Sequence, residues 1–164
     1  MAALTSATVI LALVTAQRLS ELFLARRNTE VLVARGAIEH GASHYPMMVL
    51  LHASWIVGLW FFGWNAEVIW PLAMAYGVLQ FMRLWILATL KRRWTTRILT
   101  VPGEQLVLGG PYKFMRHPNY AVVALEMPLL PLALGLPWLA LLYGVLNLAM
   151  LAWRISIEEK ALLG

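Results

Sequence analysis

Five long apolar runs leave this chain few folds to choose from. Residues 4–24, 47–64, 68–90, 120–134 and 138–153 carry few charges, and a helix needs about 20 mostly apolar residues to cross a bilayer. Inside hydrocarbon every backbone polar group must be bonded within its own segment, so such runs become helices. The expected fold class is therefore all-α and integral to the membrane, with about five transmembrane helices. The last two runs are short. Gly135, Leu136 and Pro137 between them predict a tight hairpin, with Pro128 and Pro131 bending its first arm. The whole of 1–164 reads as one domain, N-terminal helices in 1–90 followed by a core in 91–164.

The mean hydropathy of +0.71 is far above that of a soluble domain of this size. Cysteine is absent, which excludes disulfides, thiolate metal sites and a cysteine nucleophile, and no metal centre is expected. A net charge of +5 invites a nucleic-acid reading, but the basic residues fall between the apolar runs rather than on an aromatic-laced surface. With five spans, Arg26, Arg27, Arg35, Lys91, Arg92, Arg93, Arg97, Lys113, Arg116, Arg154 and Lys160 share one side, and the opposite loops carry only Glu67. The positive-inside bias then predicts an outside N terminus and a cytoplasmic C terminus, as in a bacterial cytoplasmic membrane. The first run lacks a basic leader and contains Gln17, Arg18 and Glu21, so it is expected to be a retained helix rather than a signal peptide. Residues 25–45 are expected to form a helix lying at the interface, ending in a turn at Gly41. Residues 91–110 are expected to be a cytoplasmic connection.

Charges at membrane depth cost on the order of 2.5 to 3.5 kcal/mol each on insertion scales, so each needs a reason. Arg18 can pair with Glu21, and Arg83 with Glu126, simply to hold the bundle. Alternatively, Arg83 and Glu126 contact a substrate head group in a lipid-lined cavity. His52 lies on an otherwise apolar run, where a packing role is the expectation.

The densest polar chemistry lies in two stretches, EQLVLGGPYKFMRHPNY at 104–120 and RISIEEKAL at 154–162. The pattern L-V-x-x-G-P-Y-x-x-x-R-H-P-x-Y, then a hydrophobic hairpin, then R-x-x-x-E-E resembles the C-terminal half of the isoprenylcysteine carboxyl methyltransferase family. These are integral membrane enzymes that use S-adenosylmethionine. QRLSELFLARRN at 17–28, RGAIEHGASHYP at 35–46 and TTRI at 95–98 resemble a bacterial branch associated with O-methylation of long-chain alkylpyrones and alkylresorcinols.

The resemblance implies a cytoplasmic cofactor pocket for S-adenosylmethionine built from 91–164. Its contacts would match Glu104, Gln105, Leu106, Val107, Tyr112, His117, Pro118, Asn119, Tyr120 and Glu158, with Arg154 facing substrate. Glu104 and Gln105 depart from the eukaryotic pattern, so contacts there are expected through the backbone. The residue types fit a sulfonium donor with an amino-acid end, a ribose and an adenine: Arg116 and His117 supply donors, Glu158 and Glu159 acceptors, Tyr112 and Tyr120 ring faces. Arg154 and His117 are the expected catalytic residues, and Arg154, Glu126 and Arg83 the expected substrate contacts. The expected partners are a lipophilic small-molecule substrate and membrane lipids, with no nucleic acid. An alkylpyrone or alkylresorcinol hydroxyl ranks first as acceptor, ahead of a prenylcysteine carboxylate. A nicotinamide-dependent membrane reductase, its phosphates held by Arg92, Arg93 and Arg97, is the rival from another class.

Overall fold

A computed structural model describes residues 5–163 and contains five α-helices joined by short turns and one two-stranded ribbon. The helices are α1 (Ser6–Ala34), α2 (Tyr45–Gly63), α3 (Trp70–Leu90), α4 (Pro118–Ala133) and α5 (Pro137–Leu163). Of these, α1, α2, α3 and α5 are long and apolar enough to cross a membrane. The protein is a multi-pass membrane protein of all-α class. Large apolar side chains such as Phe23, Leu50, Phe61, Phe81 and Leu141 lie exposed on the outer faces, where lipid would cover them.

Two helices run further than the apolar runs foretell. The expected start of the first span at Leu4 lies outside the described residues, and Thr5 caps α1 by accepting from the Thr8 amide. At its other end α1 does not stop near Leu24 to make way for a separate interface helix. It continues to Ala34, because no glycine or proline interrupts the chain before Gly36, whose φ is +84°. Similarly, α5 does not end near Trp153 but carries Arg154 and both carboxylates onward as one helix. Its 27 residues rise about 40 Å, more than the roughly 30 Å of hydrocarbon. Its last turns therefore stand clear of the apolar slab.

Helix α4 is the odd one. Its 16 residues rise only about 24 Å, and it is buried along most of its length between α3 and α5, with Val122, Glu126, Met127 and Leu130 almost fully enclosed. Pro131 has no amide hydrogen to give the Met127 carbonyl one turn earlier. The indole Nε1 of Trp55 on α2 donates to that carbonyl instead, at 3.0 Å. The hairpin turn into α5 is made at Gly135, whose φ is +68°. A core of Leu11, Trp55, Leu59, Met127, Leu139 and Tyr143 joins α1, α2, α4 and α5.

The intramembrane charges form one cluster rather than two separate pairs. Arg83 grips Glu21 with Nε and Nη2 at 2.6 and 2.8 Å and gives Nη1 to Glu126 at 2.8 Å. Arg18 reaches Glu126 at 2.8 Å and Glu21 at 3.2 Å. Gln17 donates to Glu21 and Gln80, and Gln80 to Glu126. Two arginines balance two carboxylates, and all four carboxylate oxygens accept at least one hydrogen bond. Three helices, α1, α3 and α4, are thereby tied at one depth.

Beyond the bundle, β1 (Ile38–His40) pairs antiparallel with β2 (Ile98–Thr100), Ile38 opposite Thr100 and His40 opposite Ile98. This ribbon was not expected from the sequence. With the turns around it, it makes one end of the bundle rich in loops, while among the described residues the opposite end carries the short turns at 64–69 and 134–136.

Removing Glu126 would leave two buried guanidiniums facing one carboxylate. The Glu126→Ala protein should lose roughly 3 to 5 kcal/mol of stability, seen as a lower midpoint of thermal unfolding in detergent. Arg26→Ala, which breaks only the exposed 3.7 Å pair with Glu30, should leave that midpoint unchanged.

Candidate functional site

At the loop-rich end the chain reaches α4 through a turn that only glycine permits. Gly110 has φ +57°, and a Cβ there would collide with Thr89 Oγ1 near the end of α3. The turn continues through Pro111, Tyr112 and Lys113, and Pro118 then opens α4 at its first helical position, where the missing amide hydrogen costs nothing. His117, just ahead of that proline, is held out of the helix with φ −127° and ψ 61°.

The last turns of α5 come alongside. Tyr120 donates its hydroxyl to Glu158 Oε2 at 2.5 Å. The His117 ring stacks on the Tyr120 ring with centroids 5.5 Å apart. Its Nδ1 lies 3.8 Å from Glu158 Oε1 and its Nε2 3.9 Å from Glu159 Oε1. All three polar side chains keep some exposure, 19% for His117, 30% for Glu158 and 50% for Glu159, so the group is reachable from outside. Burial, with the Glu158 carboxylate nearby, pushes the Tyr112 hydroxyl up to about 12, so it stays a neutral donor. Asn119 leaves its buried Oδ1 without a partner. Residues 38 or more positions apart in sequence thus meet at one polar face.

Arg154 lies one turn before Glu158 on α5 but does not bond to it. Its Nη2 donates to the Thr96 carbonyl at 2.9 Å, and its Nη1 meets His44 Nε2 at 3.1 Å and Met48 Sδ at 2.9 Å. It is 5% exposed, and its guanidinium sits 5.8 Å from the Tyr120 ring centroid. Arg154 therefore clamps α5 to the ribbon and to the start of α2, and it touches the polar face through Tyr120. Sequence reasoning missed His44, Met48 and Thr96 as its partners. The one local signal was the turn chemistry around His44, with Gly41 before it and Pro46 after.

Glu104 Oε1 lies between Arg35 and Arg93, 3.0 Å from each, and Arg93 also donates to the Gln105 carbonyl. Leu106 is exposed, and Val107 lines a cleft of about 600 Å³ with Arg93. Among the described residues no hydrogen bond or ion pair joins 104–107 to His117, Tyr120 or Glu158. Arg83 and Glu126 are committed to the intramembrane cluster, 5% and 0% exposed. Asn147 of α5 is also buried, donating to the Val123 carbonyl of α4 at 3.2 Å. His52 Nδ1 donates to the Met48 carbonyl of its own helix at 2.9 Å, the packing arrangement expected of it.

Comparison with known proteins adds a family. The sequence model of the isoprenylcysteine carboxyl methyltransferase (ICMT) family matches residues 72–164, which include α4, α5 and every member of the polar face. Bacillus subtilis (strain 168) has a relative, the uncharacterized protein YpbQ, 40% identical over 163 residues that cover 93% of this chain and 94% of that one. An uncharacterized protein of Haemophilus influenzae is 27% identical over 158 residues, 92% of this chain and 91% of that one. No solved structure matches.

The geometry separates two kinds of residue by their effect on stability. Arg154→Ala strips partners from a buried histidine and a loop carbonyl and should cost about 2 to 5 kcal/mol. Glu158→Ala, at a partly exposed position, should shift the thermal midpoint far less. Parallel melts of both variants in the same detergent check this.

Proposed function

The chain belongs to the isoprenylcysteine carboxyl methyltransferase family, and on that premise we propose that it is a membrane-embedded O-methyltransferase that uses S-adenosylmethionine and a lipophilic acceptor. The supporting observation is the polar face itself, where His117 and Tyr120 at the entry to α4 meet Glu158 and Glu159 at the end of α5. A fold that needed only a turn into a helix would not bring two carboxylates, an imidazole and a phenol together beside it.

The donor set fits the cofactor. Glu158 and Glu159 offer acceptors for ammonium and ribose hydroxyls, Tyr112 and Tyr120 offer ring faces, and the unpartnered Asn119 Oδ1 offers one further acceptor. Pro118 holds that turn rigid. When bound, S-adenosylmethionine supplies a methyl group made electrophilic by its sulfonium. The chain's own work is then alignment and exclusion of water. Tyr120 holds Glu158 in place, His117 takes the proton that an acceptor hydroxyl gives up, and Arg154 fixes the Tyr120 ring. Arg83 and Glu126 hold helices together instead of gripping a substrate.

We assign the acceptor to the alkylpyrone or alkylresorcinol type, since a weakly acidic hydroxyl makes use of the histidine. A carboxylate acceptor is already ionised at neutral pH and has no need of it. The reductase reading fits less well, because Arg93 and Arg97 are neutralised by Glu104 and Glu39 and are not free for a dinucleotide's phosphates. The loop-rich end holds the basic residues, so we orient it toward the cytoplasm.

Isothermal titration of the purified protein should detect S-adenosylhomocysteine binding and no NADPH binding. Glu158→Ala should weaken the former at least about tenfold, the scale of one charge-assisted hydrogen bond. Binding of NADPH alone would refute the reading. Mass spectrometry of lipids from cells with and without the gene should reveal an O-methylated long-chain species present only in the former.

A further inference from the structure

A second polar feature lies at the loop-rich end, with no α5 residue in its lining. A cleft of about 500 Å³ opens between α1 and the end of α3, lined by Leu24, Arg27, Val31, Leu87, Lys91 and Arg92. Its walls are apolar toward the bundle and basic at the mouth. The depth of that mouth follows from helix length. About 20 residues cross the hydrocarbon, which brings α1 from Ser6 to near Arg26 and α3 from Trp70 to Lys91, so the two rims lie at one level. Asn28 fixes this level directly, its Nδ2 donating to the Lys91 carbonyl at 3.2 Å and to the Trp94 carbonyl at 2.7 Å.

Two observations mark the cleft as more than a solvated basic rim. Arg26, Arg35, Arg93 and Arg97, its neighbours, each have an acidic partner within 4.0 Å. Arg27, Lys91 and Arg92 have none among the described residues, so three unneutralised cations converge on one opening. Lys91 also has φ +51° and ψ −119°, the one positive φ at a non-glycine residue among those described. A strained backbone persists only where its surroundings hold it. Here the buried Asn28 does so, keeping Lys91 and Arg92 together in the lining.

We propose that this cleft binds the phosphate of an anionic glycerophospholipid, with Arg27, Lys91 and Arg92 around the head group and an acyl chain running down past Leu24 and Leu87. The shared chemistry is that of any phosphate monoanion or dianion, but a cleft that is basic at the head-group level and apolar below it fits a tethered lipid better than a free ion. The assignment is independent of the methyl-transfer reading, since no residue of the polar face lines the cleft.

The test uses the full chain in mixed detergent micelles, with native mass spectrometry to count retained lipid and thermal melts to read its effect. Phosphatidylglycerol should be retained and should raise the melting midpoint, whereas phosphatidylcholine should do neither. In Arg27→Gln/Arg92→Gln, both positions exposed, phosphatidylglycerol affinity should fall about twenty-five-fold, two surface cations at about fivefold each. Arg26→Gln, next in sequence but outside the lining, should retain full affinity. Equal retention of both lipids, or equal loss in Arg26→Gln and the double variant, would overturn the proposal. So would inorganic phosphate raising the midpoint as much as phosphatidylglycerol, which would make this a free-phosphate site. Should the double variant melt early without lipid, the comparison of the two lipids on the unaltered chain still decides.

Discussion

Four charges at bilayer depth, three of them buried and Arg18 nearly so, hold this molecule in register. Arg18 and Glu21 on α1, Arg83 on α3 and Glu126 on α4 satisfy one another through contacts of 2.6 to 3.2 Å. Any three of them would leave a net charge in hydrocarbon, at a cost of several kcal/mol. The cluster therefore fixes the mutual depth of three helices far more sharply than apolar packing does, because lipid tails are as apolar as leucine and give little preference for one vertical position. Helix α4 needs such a constraint most, being too short to span and weakened by two prolines. With Glu126 fixed, the start of α4 comes to a defined height at the loop-rich end, and His117 and Tyr120 come with it.

The second wall depends on α5. Because α5 leaves the hydrocarbon as an unbroken helix, Glu158 and Glu159 project beside the start of α4. Arg154 prevents that projecting end from swinging, tying it to the Thr96 carbonyl beside the ribbon and to His44 ahead of α2. The ribbon and its turns thus act as a brace, and the Tyr120–Glu158 bond closes the structure between two independently held walls. The methyl transfer proposed for this face would make use of that rigidity, since an in-line displacement tolerates little misalignment.

Much of this was legible in the sequence because the signals were local. Five apolar runs gave five helices, Gly135 and Pro137 gave the hairpin, and from the two polar stretches His117 and Tyr120 met Glu158 and Glu159. What failed to show was non-local. The ribbon strands are three residues each, too short for an alternation of period two to register. Arg18 and Glu126 are 108 positions apart, so their contact competed in the sequence with the easier local reading of Arg18 with Glu21. For Arg154, a spacing of four suggested a shared face with Glu158, yet its partners came from residues 44, 48 and 96. A helix boundary drawn at the edge of hydrophobicity, as for α1 near Leu24, also misses the fact that a helix ends where backbone chemistry ends it, at Gly36.

Cofactor binding as proposed depends most on the two walls acting as one site, and a double-mutant cycle on S-adenosylhomocysteine affinity examines that directly. Tyr120→Phe and Glu158→Gln should each weaken binding, and the combined variant should be little worse than the weaker-binding single, because each change removes the same hydrogen-bonded unit. Losses that simply multiply, or a Tyr120→Phe protein that binds as tightly as the unaltered chain, would contradict it.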